Sequence, residues 1–382
     1  MLVKGVFQMT KARFIYDVSE RNSDLYYATR FWAPDAFIFF VHKGKKYMVM
    51  NDLEFDRASR EARVHRVLSI NDYVKRAEAK KKQPGQADVI HEIFSSLRIR
   101  RLEVPQGMSF ALVDALRKRG YKIEAGPHPF FPARLEKDSE EKRHVLDAQR
   151  AVFASMAMVR DLLAKSRIKG RRLVCNGSAL TSERLRTMIN VFLMERGYTA
   201  SDTIAACGKH SIDPHDVGAG PIRPHEPIIV DIFPRSIKTL FFGDATRTFC
   251  KGRAPDALKK LYAAVKEGQK LGLSMVRAGI NGRGVHDAIL ALFVKRGYQT
   301  GEKDGRRQGF FHGTGHGIGL ELHEEPVRIT HRDYILKKGN CVSVEPGLYY
   351  EGVGGVRIED IVYVTAKGCE VLGSFPKELE IR

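Results

Sequence analysis

Three observations predict an α/β protein of two domains. The chain has 382 residues, a length that suits two domains of ordinary size. Over roughly the first third, short apolar and aromatic runs alternate with stretches of helical spacing. Farther on, a pair of amphipathic helices followed by a strand occurs twice, which predicts a domain with pseudo-symmetric halves and a site between them. Hydrophobic residues make up 43% and charged residues 29%, a composition that can bury a core and excludes a disordered chain.

In chain order, Ala36 to Phe40 and Tyr47 to Met50 are apolar or aromatic runs joined by Lys43-Gly44-Lys45-Lys46, which predicts a hairpin. Ala87 to Leu97 and Ser109 to Arg119 have helical spacing, the second through Phe110, Leu112, Val113 and Leu116, with a strand at Leu102-Glu103-Val104 between them. Pro127, Pro129 and Pro132 mark a boundary before Asp138-Ser139-Glu140-Glu141, a helix start. Domains are therefore expected at 1–136 and 137–382. Within the second, Phe192 to Tyr198 and Phe293 to Tyr298 each end in Arg-Gly-Tyr, 100 residues apart, after helices carrying Met158-Val159-Arg160 and Met275-Val276-Arg277.

Lys and Arg number 64 against 45 Asp and Glu, a net charge of +19, divided as +9 and +10 between the expected domains. Such an excess first suggests a polyanionic partner. The compact basic cluster, Lys80-Lys81-Lys82 before Pro84-Gly85, reads more simply as a solvated turn. Five Cys without paired spacing argue against a disulfide framework or a thiolate zinc site. Neither the N-terminal MLVKGVFQMTKARF nor any later stretch has the apolar run of a signal peptide or membrane span. A cytoplasmic location is expected.

The informative positions are carboxylates inside apolar strand-like runs. Asp231 sits within Ile228–Phe233, Glu345 within Cys341–Pro346, and Glu359 within Val356–Val362. Period two places Glu345 opposite Val342 and Val344, and Glu359 opposite Val356 and Ile358. In Gly243-Asp244-Ala245-Thr246-Arg247-Thr248-Phe249, Asp244 shares its face with Thr246 and Thr248. Buried carboxylates are usually ion-paired or metal-bound. One alone is more often a salt-bridged or edge residue, but several in one domain shift those odds.

Residues 312–324, from His312 through His316 to His323, contain four glycines in thirteen positions. So many glycines rule out a regular helix and with it the helical His-Glu-x-x-His zinc pattern. A Gly/His-rich stretch could instead be a phosphate loop, but no Gly-Lys-Ser/Thr ending is present. Carboxylates with one imidazole suit a hard to borderline divalent ion such as Mn, Co, Fe or Zn.

Taken in order, these segments resemble the motifs of the pita-bread metallopeptidases, the family of methionine aminopeptidases, Xaa-Pro dipeptidases and aminopeptidase P. Val230-Asp231 and Gly243–Phe249 resemble the two aspartate strands, Gly315–Leu320 the histidine motif, and Val344–Tyr349 and Gly355–Asp360 the two glutamate motifs. Ser23–Thr29 resembles part of a creatinase-type N-terminal domain, which favours the Xaa-Pro branch. The resemblance implies a pita-bread catalytic domain after a smaller α/β domain. It also implies two divalent ions, Mn or Co before Zn or Fe, with Asp231 on one, Asp244 and Glu359 bridging, and His316 and Glu345 on the second. Glu345 would also shuttle a proton, and His323 and His215 would contact the scissile amide. Arg357, Thr246, His312 and Arg328 would support the ligands or bind substrate, Arg357 through the Glu359 strand or, equally, as a plain structural ion pair. The substrates implied are short peptides with proline second, and the assembly a homodimer, with no membrane or nucleic-acid partner.

Two departures stand out. The aspartates are 13 positions apart, about two more than usual in the family, and the extra pair of residues preserves the strand face. After His323-Glu324-Glu325-Pro326 comes Val327 and then Arg328, one position later than the arginine that holds a dipeptide carboxylate in prolidases. Two other readings share the fold. A creatinase-like, metal-independent hydrolase has no need of five intact ligands, and a non-catalytic binder of nucleic acid or protein would show a basic stripe with interleaved aromatics.

Overall fold

The computed structural model describes residues 11–382. Residues 1–10, most of the N-terminal stretch read for a signal peptide, lie outside the described residues. Two compact units result, the first running to Arg134 and the second spanning Leu135–Arg382.

The first unit is a six-stranded mixed sheet with strands β1 (Lys11–Asp17), β2 (Phe37–His42), β3 (Lys45–Met50), β4 (Arg66–Ser69), β5 (Arg101–Val104) and β6 (Lys122–Ala125) in the order β4-β3-β2-β1-β5-β6. The expected hairpin is β2–β3, antiparallel from Ile38↔Val49 to His42↔Lys45. Lys43 and Gly44 turn it at φ 49° and 74°. Positive φ at both central residues matches the right-handed twist of the flanking strands. Phe37 and Phe39 join one apolar cluster and Ile38 and Phe40 another, so an unbroken apolar run reflects a sheet covered on both faces.

The helix Phe110–Arg117 buries Leu112 and Leu116. Phe110, expected on that face, is instead 77% exposed. It is the first helical residue, and six positions before Leu116 is about 240° around the helix, away from the sheet. Asp24, in the helix Ser23–Thr29, accepts the backbone N–H groups of Phe130 (3.0 Å) and Phe131 (2.8 Å) and so ties down the end of the unit.

In the second unit Asp138 caps the helix Ser139–Lys165, accepting from Glu141 N while the Glu141 carboxylate accepts from Asp138 N. This helix and Ser182–Met194 pack on a sheet ordered Ile204–Cys207, Ile228–Ile232, Ala245–Lys251, Glu380–Ile381, around one apolar core. A second helix pair, Asp256–Met275 and Gly282–Lys295, shares a separate core with the strands Cys341–Val344, Gly347–Tyr350, Gly354–Arg357 and Asp360–Val364. The repeated Arg-Gly-Tyr has a local cause. Gly197 and Gly297 end their helices at φ +78° and +87°, the left-handed stop for which glycine is suited.

The strand readings need two corrections. Val356–Val362 is not continuous: Gly354–Arg357 and Asp360–Val364 are separate strands, and Glu359 sits at the break. Its backbone N–H donates to Thr246 O (3.1 Å) in the other half of the unit rather than along a ladder. Glu345 likewise lies one residue past its strand, with its N–H on Thr314 O (2.7 Å). Period two therefore does not set the direction of either glutamate. No helix among the described residues is long and apolar enough to cross a membrane.

Candidate metal centre

Asp231 sits on a central strand of the second unit's sheet, opposite Ile204 on one side and Thr246 on the other. Asp244 lies just before the strand Ala245–Lys251, two residues from Asp231's partner and so on the same face. The longer connection folds Arg235–Ser236 against Tyr198–Thr199 and leaves that register intact. Asp244 is fixed through its backbone. Gln149, fully buried in the helix Ser139–Lys165, donates to Asp244 O (2.9 Å) and accepts from Asp244 N (2.6 Å). A Cβ on the preceding Gly243 would lie 2.6 Å from the backbone carbon of Ala148, so glycine is what allows the helix so close.

Glu359 enters from the strand break. Thr246 Oγ1 donates to its Oε2 at 2.8 Å, and buried Arg247 grips its carbonyl at 2.5 Å and Asp360 Oδ1 at 2.7 Å. His316 Nε2 faces Asp244 Oδ2 at 3.5 Å and Glu345 Oε1 at 3.3 Å. Its Nδ1 lies 3.1 Å from Gly317 O, which makes Nδ1 the protonated nitrogen and leaves the Nε2 lone pair toward the carboxylates. Ser343 joins two motifs, accepting from His316 N (2.9 Å) and donating to Glu345 Oε1 (2.9 Å).

Asp244, His316 and Glu359 each offer a ligand atom, all within 4.8 Å of one another. Asp231 Oδ1, Asp244 Oδ1 and Glu359 Oε1 are buried and have no hydrogen-bond partner. Their residues line one cavity together with the His316 imidazole, a donor chemistry that suits a hard or borderline cation. The residues fit a divalent ion of the kind the resemblance implies, with Asp231 and Glu345 outside this close group of three. Burial and neighbouring negative charge, Glu359 foremost, hold the Asp244 carboxyl well above the usual carboxylate range. Burial raises Glu359 in the same way, with Glu345 and Asp231 adding to it. Burial also pushes Glu345 up to about 7, against the pull of Arg357, and pushes His316 down.

A cavity of about 1070 Å³ opens over these groups, with His215, His312, His323 and Arg357 on its walls. His323 and His215 are exposed on it, and the His316 and His323 rings meet edge to face at 4.4 Å. Two of the expected supporting residues behave otherwise than expected. Arg357 serves Asp231 rather than Glu359, since its Nη2 donates to Asp231 Oδ2 at 2.7 Å and its other nitrogens reach Thr246 Oγ1, Tyr349 OH and Pro214 O. Arg357 reaches Glu359 only through Thr246, whose hydroxyl accepts from Arg357 Nε and donates to Glu359 Oε2. Arg328 is not among the residues lining the cavity, because Glu325 and the Pro326 carbonyl hold its guanidinium. His312 is fixed between Gly313 O (2.7 Å) and Tyr349 OH (3.0 Å), and burial pushes its imidazole down to about 3. Gln149, Ser343, Arg247 and Tyr349 escaped the sequence reading. Gln149 had a signal, a polar residue on the stripe of Val145, Val152 and Met156.

The model of metallopeptidase family M24 matches residues 143–366. An uncharacterised peptidase of Bacillus subtilis is 33% identical over 195 residues, 50% of this chain and 53% of that protein. The Xaa-Pro dipeptidase of Lactobacillus helveticus is 32% identical over 184 residues, 47% of this chain and 46% of that protein. The chain thus spans about half the length of the curated relatives it matches. The crystal structure of the X-Pro aminopeptidase from Thermotoga maritima superposes with a TM-score of 0.80 at 22% identity, covering 97% of both chains, which shows the pita-bread fold. With the family's model matched over more than half its length, this chain belongs to metallopeptidase family M24.

Proposed function

We propose that the chain hydrolyses the peptide bond between an N-terminal residue and a following proline, with two divalent ions held by Asp231, Asp244, His316, Glu345 and Glu359. The observation that carries the reading is the group of Asp244, His316 and Glu359, with ligand atoms within 4.8 Å of one another, on a cavity that Asp231 and Glu345 also line. Its proline preference rests on relatives named Xaa-Pro dipeptidase.

When bound, divalent ions would acidify a water and polarise the scissile carbonyl. The chain's own residues then divide the work. Glu345, oriented by the Ser343 hydroxyl, takes the proton of the attacking water and passes it to the leaving proline nitrogen. His323 and His215, on the cavity wall, donate to the amide oxygen as charge gathers there. Arg357 neutralises and orients Asp231 through the 2.7 Å contact, and the Thr246 hydroxyl orients Glu359 by donating to it.

The test is hydrolysis of Ala-Pro, Ala-Pro-Ala and Met-Ala-Ser by chelated protein after return of Mn, Co or Zn. Cleavage of the proline peptides, with Mn or Co most active, is expected. A folded, metal-loaded preparation that cleaves none of the three would refute the reading, and one that cleaves only Met-Ala-Ser would refute the proline preference. Neither proline-peptide length has an arginine from position 328 to favour it, so the ratio of the two is read directly from the assay.

A further inference from the structure

Outside the donor set, one pair of charges is buried more completely than any function described so far requires. Lys137 and Glu324 form an ion pair with both side chains 1% exposed, 187 residues apart in sequence. Removing two charges from water costs several kcal/mol per ion, and an apolar pair of the same size is often as stable or more so. Stability alone therefore does not account for it.

Its position does. Glu324 directly follows His323, and its other carboxylate oxygen, Oε1, accepts the backbone N–H of Leu320 at 3.0 Å. Its own N–H donates to Gly317 O at 2.8 Å, Gly317 N donates to Val327 O at 2.8 Å, and Gly319 O accepts from Phe242 N at 2.8 Å. His316 and His323 are thus carried on one loop that folds back on Glu324. A Cβ on Gly319 would lie 2.7 Å from Glu324 Oε1 and 2.7 Å from Lys137 Cε, so the loop closes directly on the pair. Lys137 is itself pinned, its N–H on Gly339 O (2.7 Å) and its carbonyl accepting from Tyr363 OH (3.1 Å).

We infer that Glu324 is a positioning residue: seated by its ion pair with Lys137, its side-chain oxygen accepts the Leu320 N–H and so sets where His316 and His323 stand in the cavity. The inference rests on the proposed peptidase reading for its effect on turnover, though not for its effect on the loop. Two double variants separate positioning from mere packing. Lys137→Met with Glu324→Leu fills the volume but removes the acceptor for Leu320 N–H, whereas Lys137→Met with Glu324→Gln keeps one.

With Ala-Pro as substrate, the Leu variant is expected to lose about tenfold to a hundredfold in kcat with KM little changed, and to shift the visible spectrum of the Co(II)-loaded protein through His316. The Gln variant and Lys137→Arg should retain most of the kcat and the wild-type spectrum. Equal kcat and an unchanged spectrum in the Leu variant would overturn the inference, as would equal losses in the Leu and Gln variants. If the Leu variant does not fold, the comparison of Lys137→Arg with Lys137→Met/Glu324→Gln still decides, because loss of the wild-type spectrum in both sinks the idea. Should the wild type cleave no proline peptide while the Leu variant still shifts the Co(II) spectrum, the peptidase reading fails and the positioning stands.

Discussion

Asp244 shows how much of a proposed metal ligand's placement is done by neighbours. Its carboxylate faces the cavity, while both of its backbone groups are taken by Gln149. Replacing Gln149 with Leu strands two buried backbone groups, so a loss of about 2–4 kcal/mol is expected in urea unfolding, together with weaker metal uptake. Phe110→Ala should change stability by less than about 0.5 kcal/mol, because the ring is 77% exposed. At the donor set, Asp244→Ala and His316→Ala should abolish both metal uptake, measured by elemental analysis, and hydrolysis. His323→Ala should keep the metal and lose most of the turnover. Retention of full metal content by Asp244→Ala would show that the cluster of Asp244, His316 and Glu359 is not where the ion sits.

At the scale of elements, the site exists because strands end where their carboxylates are needed. Glu345 follows its strand by one residue and Glu359 occupies a break; each sends its N–H to a carbonyl outside its own ladder. The helix Ser139–Lys165 reaches the site because Gly243 has no side chain. Gly243→Ala should push the helix and Asp244 apart and lower both thermal stability and metal affinity. By contrast, Gly297→Ala touches nothing within 4 Å but keeps φ at +87°, so a cost of about 1 kcal/mol with unaltered metal binding is expected. Equal effects of the two substitutions on metal affinity would contradict this division between a close approach and a helix stop.

Over the whole molecule, the carboxylates of the centre make stability depend on pH when metal is stripped. Asp244, Glu345 and Glu359 have folded pKa values above their ordinary ones, Glu345 at about 7. A carboxyl raised in the folded state contributes stability below its unfolded pKa and loses it as pH rises through the folded value. Chelated protein should therefore lose stability between about pH 4 and 7 relative to metal-loaded protein. The melting-temperature gap between the two forms should widen over that range, measured by calorimetry in matched buffers. A gap that narrows as pH rises would contradict the placement of these buried acids. The +19 charge enters none of this chemistry, since the residues described around the centre are chiefly acids, imidazoles and the paired Arg357.

Composition and local pattern alone determined the α/β class, the β2–β3 hairpin, the capped start at Asp138 and the carboxylates in apolar runs. These rest on interactions within a few residues, or on the cost of burying a charge, and both are legible in one dimension. The full donor set and its roles came from motif resemblance, which spacing alone does not supply. Only the tertiary structure decided that Arg357 reaches Asp231, that Arg328 is spent on Glu325, and that Gln149 and Lys137 hold the segments bearing Asp244 and His323. Apart from the Arg328 pair, these contacts join residues 95 to 187 positions apart, and the Arg328 pair depends on how a glycine-rich loop folds back. A side chain's partner across such a distance is chosen by packing of the two halves, which no local spacing records.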